Sequence, residues 1–371
     1  MEGLTGAKED TGGAARPAIF ERYPELEGAI PWLPLGTYPT PVHRLTSLGG
    51  GRLWIKRDDL TSPEYGGNKV RKLEFILGDA VRRGKKRVVT IGGIGTNHGL
   101  ATAIYCRKLG IGCTLALFDQ PVTGHVRENL LLFHRYGAEL VHSASMFGAG
   151  SQFYIFQRMR RPGSCFVYAG GSTPLGAIGF VSAAFELKKQ IDEGMLPEPR
   201  YIFCPLGSSG TMAGLALGAR IAGMTAEVIG VRVTASSLGP IPLATPQTVA
   251  TLMAGAYRLL KNSCPSLPNT EICRPRVIDE FFGGEYGLPT AEGNRAQRLF
   301  RDQEGIILDS TYTAKTCAAL LDFMKDPWQT KEPVLYWHTY NSRDMSAEAA
   351  SVQYRDLPRD FHRFFSEPHI L

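Results

Sequence analysis

The sequence predicts a two-domain α/β protein in which twisted parallel sheets are covered by helices on both faces. Short apolar segments alternate along the chain with longer segments of helical periodicity, which is the pattern of repeated strand–helix units. The length of 371 residues is more than one domain usually contains. We expect a small domain over 72–179, inserted into a large domain formed by 1–71 and 180–371, with a flexible segment at 1–16.

The elements can be placed in order from their own patterns. A strand is predicted where a short apolar segment lies between turn residues, and a helix where apolar side chains recur every three or four positions. The predicted strands are Leu53–Lys56, Arg87–Ile91, Cys113–Phe118, Glu139–Val141, Ser164–Tyr168, Tyr201–Cys204, Glu227–Val233, Arg276–Phe281 and Val334–Trp337. The predicted helices are Asn68–Arg83, Gly99–Leu109, Val122–Tyr136, Gln152–Met159, Leu175–Glu193, Thr211–Ala222, Thr248–Asn262, Ala291–Glu304 and Lys315–Met324. Ligands of such folds bind at the carboxyl ends of strands, so chemistry is expected in the loops that follow strands.

Composition and charge argue against several classes of protein. Hydrophobic residues make up 43% and charged residues 20%, as in ordinary globular proteins. The net charge is +6, but the basic clusters at 82–87 and 158–161 have the character of solvated turns and lack a nucleic-acid reader motif. No apolar run approaches the roughly 20 residues that cross a bilayer. We therefore expect neither a nucleic-acid nor a membrane partner.

The seven cysteines are odd in number and include no C-x-x-C pair. This pattern argues against a disulfide framework and a metal site, and it favours a reducing compartment. The N-terminus has no signal-peptide pattern, so we expect a cytoplasmic protein. The scattered histidines, His125 among them, are assigned to structure or surface.

The first loop of chemical interest is Tyr65–Lys72. Gly66 and Gly67 permit close backbone approach, and Lys69 lies in the first turn of the predicted helix. The positive end of the helix dipole favours the neutral amine there, which is the form that attacks a carbonyl carbon. A solvated surface lysine is the alternative interpretation.

Two further loops are candidates for anion binding. Ile91–Gly99 follows a strand and opens a helix, where free backbone N–H groups bind a carboxylate, although tight turns also need glycine. Pro205–Thr211 places Gly, Ser and Thr at a strand-to-helix turn, as in a phosphate cradle or a simple helix cap. It matches neither a Walker A loop nor a dinucleotide fingerprint, so the phosphate should belong to a smaller ligand.

An imine-forming lysine, an anion-binding loop and a phosphate cradle on one α/β scaffold indicate pyridoxal 5′-phosphate (PLP) as the cofactor. The same segments resemble those of the D-cysteine desulfhydrase and 1-aminocyclopropane-1-carboxylate (ACC) deaminase family of fold type II, tryptophan-synthase-β-like PLP enzymes. The matching motifs, in order over 35–341, are Lys56–Leu60, Gly66–Lys69, Arg71–Phe75, Gly93–His98, Gly170–Ser172, Leu175–Gly176, Gly207–Thr211, Tyr286–Pro289, Glu304–Asp309, Tyr312–Lys315 and His338–Thr339.

The resemblance implies a role for each matching residue. Lys69 would hold PLP as an imine and move the α-proton, and Asn97 would contact the phenolic oxygen of the cofactor. The residues expected to contact the cofactor are Asn68, Lys69, Asn97, Gly207, Ser208, Ser209, Gly210, Thr211, Thr313 and Thr339, with Thr313 or Thr339 near the pyridine nitrogen.

The resemblance also implies where the substrate binds. Thr96, Asn97 and His98 would line a pocket for its carboxylate, and Thr96 is counted among the catalytic candidates. Tyr312 would stack near the ring and assist proton transfer, while Tyr286 would close the substrate side. No metal site is implied.

Thr313 and Thr339 bear on the reaction. The ACC deaminase branch typically carries Glu and Leu at these positions, whereas the D-cysteine desulfhydrase branch tends to have small hydroxyl residues. A hydroxyl beside the ring nitrogen leaves it more nearly neutral, which favours β-elimination over opening of a cyclopropane. The first hypothesis is therefore a PLP-dependent lyase that acts on a small amino acid, D-cysteine, and releases pyruvate, sulfide and ammonia.

Three departures from the family pattern keep alternatives open. Gly95 stands where the family has Gln, and Tyr340 and Asn341 stand where it has two glycines. ACC deamination, β-replacement or racemisation on the same scaffold is the second hypothesis, and a non-catalytic PLP-binding protein is the third. In the tail at 355–371, Phe361, Phe364 and Phe365 are expected to pack on a neighbouring copy, as in a homodimer.

Overall fold

Two sheets organise the computed structural model, which describes residues 16–238, 241–326 and 331–366. Apart from its last residue, the segment predicted to be flexible at 1–16 lies outside these ranges. The strands are β1 (Val42–Arg44), β2 (Leu53–Arg57), β3 (Arg87–Gly93), β4 (Gly112–Phe118), β5 (Glu139–Ser143), β6 (Cys165–Val167), β7 (Tyr201–Leu206), β8 (Glu227–Arg232), β9 (Ser237–Leu238), β10 (Ile241–Pro242), β11 (Val277–Ile278) and β12 (Val334–His338).

The strand order confirms the predicted fold class. A six-stranded sheet runs β1–β2–β12–β7–β8–β11 and is parallel except at β1, while β5–β4–β3–β6 form a parallel four-stranded sheet. The short β9–β10 hairpin is antiparallel. The smaller sheet falls within 72–179, the range expected for the small domain, and the division into two domains stays a prediction.

Helices cover the faces of both sheets. They are α1 (Ala18–Arg22), α2 (Lys69–Arg82), α3 (Asn97–Lys108), α4 (Gly124–Arg135), α5 (Met146–Ser151), α6 (Gln157–Arg160), α7 (Pro174–Asp192), α8 (Gly210–Ile221), α9 (Pro246–Ser263), α10 (Ala291–Glu304), α11 (Thr313–Phe323), α12 (Ser346–Ala350) and α13 (Arg363–Ser366). In the described part of the chain, no helix has both the length and the apolar character that crossing a membrane would require.

The central strand β12 shows why the larger sheet is buried on both faces. Leu335 and Trp337 point into the core formed with α7 and α8, whereas Val334 and Tyr336 point into the core formed with α10 and α11. Successive side chains of a strand alternate between the two faces. The near-continuous apolar composition of the strand therefore reflects two cores rather than one.

Three expectations need correction. The strand predicted at Arg276–Phe281 is only the two residues of β11, because pairing with β8 is limited to Val277 and Ile278. The helix predicted at Gln152–Met159 is one part of a longer helical segment, in which a π-helical turn (Gln152–Phe156) joins α5 to α6.

The tail also differs from expectation. Phe361 and Phe364 are buried against the same chain, with ring centroids 5.5 and 5.9 Å from the ring of His142. Arg127 Nε donates a hydrogen bond of 2.8 Å to the carbonyl oxygen of Phe364. The expectation that these two rings face a neighbouring copy is therefore wrong, because they complete the core beside α4. Residues 367–371 lie outside the described part.

A buried ion cluster ties α2 to the larger sheet and to α7. The guanidinium of Arg71 donates to the two oxygens of Asp58 at 2.7 and 2.8 Å, and to those of Glu186 at 2.9 and 3.1 Å. Lys56 Nζ donates to Glu186 at 2.5 Å, and Trp337 Nε1 donates to Asp58 at 2.7 Å. All five side chains are buried, so each carboxylate depends on these partners for its compensation.

We expect Glu186→Gln to lower the free energy of unfolding by about 3 kcal/mol at pH 7, because it leaves buried cations without their full counter-charge. Burial raises the pKa of Glu186, but the charges of Arg71 and Lys56 outweigh it and lower the pKa from 4.5 to about 2. The stabilisation is thus complete above pH 4.5 and fades as the pH falls toward 2. Urea unfolding of both proteins should show their stabilities converging over that interval.

The matched control is Glu21→Gln, which removes an exposed ion pair with Lys189 on the same helix α7. Exposed pairs contribute about 0–1 kcal/mol, so this variant should unfold almost like the wild type. Equal losses in the two variants at pH 7 would contradict the role assigned to the buried cluster.

Candidate active site

A cavity of about 680 Å³ lies where the loops after β3, β7 and β12 meet the first turn of α2. These include the three loops singled out in the sequence, and the fold brings them together at the carboxyl ends of parallel strands. The predicted site residues that line the cavity are Asn68, Lys69, Thr96, Asn97, His98, Gly207, Ser208, Ser209, Thr211, Tyr286, Tyr312 and Thr339. Gly210 and Thr313 are not among the residues that line it.

Lys69 is the first residue of α2 and faces the cavity. Its Nζ donates to Asn68 Oδ1 at 2.7 Å and lies 5.9 Å from the centroid of the Tyr312 ring. Burial lowers the pKa of Lys69 from 10.5 to about 8, and the carboxylate of Asp309 opposes that shift. An appreciable fraction of this amine is therefore neutral near physiological pH and able to act as a nucleophile or base.

The two glycines before Lys69 are required by packing against the residues that follow β2 and β12. A Cβ on Gly66 would lie 1.9 Å from the carbonyl oxygen of Asp59, and one on Gly67 would lie 2.8 Å from that of Thr339. Gly67 also has φ +88°, a left-handed conformation that suits glycine. The backbone N–H of Asn68 donates to the Thr339 carbonyl at 3.1 Å, so this packing sets Lys69 relative to Thr339.

The serine loop after β7 has the form of a phosphate cradle. Ser209 adopts φ +69° just before α8, which turns the loop into the start of that helix. Ser208 Oγ accepts a hydrogen bond of 2.7 Å from Ser172 Oγ, and Asn68 Nδ2 donates to Thr211 Oγ1 at 3.0 Å. Hydroxyls and a helix N-terminus thus converge at one end of the cavity, as an anion requires.

Lys72 supplies a buried amine beside this cradle. Its Nζ donates to the Gly170 carbonyl at 3.1 Å and approaches Ser172 Oγ at 3.5 Å, and neither of these acceptors is an anion. Burial, and secondarily the charge of Lys69, places the pKa of Lys72 well below its usual value. A phosphate bound at the cradle would provide the counter-charge for this amine, so the residues present fit such a group.

The amide of Asn97 is held in one orientation. Asn129 Nδ2 donates to the Gly95 carbonyl at 2.9 Å, and it also donates to Asn97 Oδ1 at 3.2 Å. His125 Nε2 lies 2.8 Å from the same Oδ1. Because the oxygen is occupied by these partners, the NH₂ of Asn97 is the part left to donate elsewhere.

His98 is buried and neutral. The hydroxyl of Thr90 donates to the Val167 carbonyl at 2.8 Å, so at 3.0 Å from His98 Nε2 it accepts the ring proton. Nδ1 therefore carries a lone pair and has no partner in the part of the chain that the structure describes. Burial, with the charges of Lys69 and Lys72, places the pKa of His98 well below its usual value.

Two tyrosines, Tyr286 and Tyr312, line the same cavity. The hydroxyls of Tyr286 and Tyr312 are hydrogen-bonded to one another, with ring centroids 6.1 Å apart. Burial raises the pKa of both phenols. Both are therefore protonated at neutral pH, as a proton donor must be.

Hydrogen bonds to Asp309 distinguish between Thr313 and Thr339, the two threonines expected near the pyridine nitrogen of the cofactor. Its Oδ1 accepts a hydrogen bond of 2.6 Å from the hydroxyl of Thr313, and its oxygens also accept from the backbone N–H groups of Thr311, Tyr312 and Thr313. The hydroxyl of Thr313 is thus engaged by Asp309 at the start of α11, whereas Thr339 lines the cavity. Of the two threonines, Thr339 is the one available to a ligand.

Several residues that support the site were not predicted from the sequence. The matching motifs include Lys72, Ser172 and Asp309, but no role was predicted for these residues. The contacts of His125 and Asn129 with Asn97 were not predicted either. The helical spacing of Lys69 to Lys72, and of His125 to Asn129, placed each pair on one helix face, which was the signal available. Among the described residues, no cluster of side chains suited to a metal ion occurs.

Comparison with known proteins identifies the class. A family model described as pyridoxal-phosphate dependent enzyme matches residues 33–339. This range contains all three loops, and with them Lys69, Asn97 and the serine loop 207–211. The chain belongs to the PLP-dependent enzymes, and PLP is its cofactor.

Individual relatives indicate which family of PLP-dependent enzymes the chain resembles. The chain is similar to D-cysteine desulfhydrases of Serratia proteamaculans (32% identical over 322 residues, 84% of this chain and 93% of the relative) and Klebsiella pneumoniae (33% over 330 residues, 86% and 94%). The crystal structure of an ACC deaminase homologue matches with a TM-score of 0.73 and 28% identity, covering 91% of this chain and 100% of that one. The protein therefore belongs to the D-cysteine desulfhydrase/ACC deaminase family. O-ureido-L-serine synthase, at 17% identity and a TM-score of 0.57, shares the fold.

The pKa of Lys69 predicts how covalent attachment of PLP depends on pH. The neutral amine attacks the aldehyde, so the rate at which apoenzyme takes up PLP should rise with pH to a midpoint near 8 rather than 10.5. Stopped-flow absorbance after mixing apoenzyme with PLP measures this rate. Lys69→Ala is the control and should form no covalent adduct, and a midpoint near 10.5 would contradict the effect of burial.

The orientation of Asn97 predicts a second effect on the cofactor. Asn129→Asp places a carboxylate beside Asn97 Oδ1, which should reverse the amide and turn its oxygen toward the cavity. We expect PLP affinity to fall roughly tenfold, the loss of about one hydrogen bond to a charged group. Equilibrium dialysis measures the affinity, and Asn294→Asp on α10 is the control. Unchanged affinity in Asn129→Asp would contradict this role for the amide.

Proposed function

We propose that this protein catalyses PLP-dependent β-elimination from a small amino acid, with D-cysteine as the first substrate to test and pyruvate, sulfide and ammonia as products. The observation that carries the proposal is the position of Lys69, a buried amine with a pKa of about 8, in one cavity with the neutral hydroxyl of Thr339. The nearby carboxylate of Asp309 is engaged at the start of α11. A hydroxyl as the partner of the ring nitrogen supports β-elimination.

The proposed contacts with the cofactor follow from the donors around the cavity. Lys69 would hold PLP covalently, Asn97 Nδ2 would donate to the phenolic oxygen, and the loop 207–211 would bind the phosphate together with Lys72 and Ser172. When bound, PLP supplies a conjugated ring that accepts the electron pair left by the α-proton. Gly210 belongs to this set through its backbone at the start of α8.

The substrate carboxylate is proposed to bind at the start of α3. Thr96 caps this helix, since its hydroxyl oxygen accepts from the Gly99 N–H at 3.3 Å, and its own proton can be donated to a carboxylate. Backbone N–H groups at the helix start provide further donors. The ring of His98 presents a lone pair, so this residue would contribute its backbone rather than its side chain.

Two groups would move protons in the reaction. Lys69 in its neutral form removes the α-proton, and the pKa of about 8 makes it a competent base near neutral pH. The phenol of Tyr312, kept protonated by burial and hydrogen-bonded to Tyr286, donates a proton to the departing sulfur. Tyr286 thereby acts through Tyr312.

The departures from the family pattern have different consequences. Asn341 Oδ1 accepts from the Gly66 N–H at 2.7 Å, and Asn341 Nδ2 donates to the Arg343 carbonyl at 3.0 Å, so this residue braces the loop before Lys69. Tyr340 lines the cavity and lies 6.0 Å, ring to ring, from His125. Tyr340 therefore alters the space available to a substrate. ACC deamination is kept as the second candidate reaction because of the similarity to an ACC deaminase homologue.

The remaining proposals concern the setting of the enzyme. All seven cysteines are free thiols, which supports a reducing, cytoplasmic location. A homodimer stays a prediction. Phe361 and Phe364, which were expected to contact the second copy, pack within the same chain instead.

The test is a product assay on purified holoenzyme. We expect pyruvate and sulfide in equal amounts from D-cysteine, and a loss of at least a thousandfold in Lys69→Ala because the base and the cofactor anchor are both removed. 2-Oxobutyrate from ACC, without pyruvate from D-cysteine, would replace the lead reaction by the second candidate. No product from a panel of amino acids would favour a PLP-binding protein without catalysis.

A further inference from the structure

The cavity extends beyond the residues that are proposed to hold the cofactor. Its volume of about 680 Å³ falls within the roughly 300–1,000 Å³ of pockets that bury drug-sized ligands. Beyond the residues proposed to hold PLP, its wall continues to a second group of side chains. These are Phe118, Met146, Tyr154, Tyr168, Pro242, Gln247, Thr251 and Leu252, here called the outer wall.

The outer wall is uncharged. Among the described residues that line the cavity, Lys69 and Asp309 are the ones that carry charge, and both belong to its inner part. The outer wall is partly open to solvent, since Tyr154 and Tyr168 are 52% and 42% exposed, and it offers a charged group no ion-pair partner. An uncharged apolar group would instead gain from removing its surface from water.

The aromatic part of the outer wall is fixed by packing. Tyr154 lies on the π-helical turn between α5 and α6, and such turns occur frequently at functional sites. Its ring is 4.9 Å from the buried ring of Phe153 and 6.1 Å from that of Tyr168. These distances are typical of favourable ring pairs, so the two tyrosines present a preformed surface for another ring. Leu252, on α9, contributes an aliphatic side chain to the same cavity.

We propose that the preferred substrate is a cysteine S-conjugate, an amino acid whose β-sulfur carries an uncharged, apolar group of about the size of a benzyl ring. This inference rests on the proposed β-elimination and names the substrate class for it. The inner part of the cavity would bind the amino-acid portion, and the outer wall would bind the group on sulfur.

The chemistry needs no further reactant besides water. Lys69 takes the α-proton, the Cβ–S bond breaks with its electron pair on sulfur, and the thiolate receives a proton from Tyr312. The released 2-aminoacrylate becomes its imine and is hydrolysed to pyruvate and ammonia. The balance is conjugate plus water giving thiol, pyruvate and ammonia.

The experiment compares S-benzylcysteine with cysteine on the holoenzyme, using each enantiomer separately. Pyruvate is measured by a coupled dehydrogenase, and benzyl thiol by a colorimetric thiol reagent. We expect kcat/KM for S-benzylcysteine to exceed that for cysteine of the same handedness at least tenfold. A pyruvate signal from cysteine with an equal or smaller kcat/KM for the conjugate would overturn this inference and leave the proposed function intact. Pyruvate from neither compound would overturn both.

Variants of α9 test the position of the group on sulfur. Leu252→Glu puts a carboxylate in the outer wall and should lower the ratio of kcat/KM for the conjugate to that for cysteine at least tenfold, mainly through KM, as expected for lost ground-state binding. Thr251→Glu, at an exposed position that lines the same cavity, gives a second test that does not depend on a buried substitution. Leu259→Glu, elsewhere on α9 and 38% exposed, is the matched control. It should leave kcat/KM unchanged for both the conjugate and cysteine. An unchanged ratio in both outer-wall variants would overturn the assignment.

Discussion

The site depends on how the first turn of α2 is held. Arg71 lies two residues after Lys69, and its guanidinium donates hydrogen bonds to Asp58, directly after β2, and to Glu186 on α7. In a buried setting, a charge network of this kind is stable only when every member is paired, so its geometry is stringent. Because the helix cannot slide or rotate without breaking these contacts, the amine of Lys69 has a defined position above the strand ends.

The fold could be predicted from the sequence where a pattern was long and local. The alternation of strands and helices determined the class, and helix boundaries such as those of α10 agree with the expected residues. β1 was missed because Val42–Arg44 is short and half-exposed, and its antiparallel pairing depends on β2. The strand expected at Arg276–Phe281 was too long, because its length is limited by the partner strand and not by its own apolar content.

The site was predictable to the extent that its loops follow strands. Lys69, Asn97 and the loop 207–211 could be found in this way, because the carboxyl ends of parallel strands meet at one edge. The roles of Lys72 and Asn129 depend on contacts with segments distant in sequence, and helical spacing alone does not indicate which segments these are. Asp309 instead contacts residues two to four positions later, at the start of α11. The choice between Thr313 and Thr339 likewise required the hydrogen bond that commits Thr313 to Asp309.

The order of strands has a consequence for synthesis of the chain. Within the described residues, β12 is the last strand in sequence, yet it lies in the middle of the larger sheet, between β2 and β7. Until residue 339 has left the ribosome, β2 has no strand partner on that side, and the loop that leads to Lys69 cannot pack on Thr339. During synthesis, the nascent chain therefore has unpaired strand edges until β12 is inserted between β2 and β7. Intermediates with unpaired strand edges are prone to aggregation and to binding by chaperones.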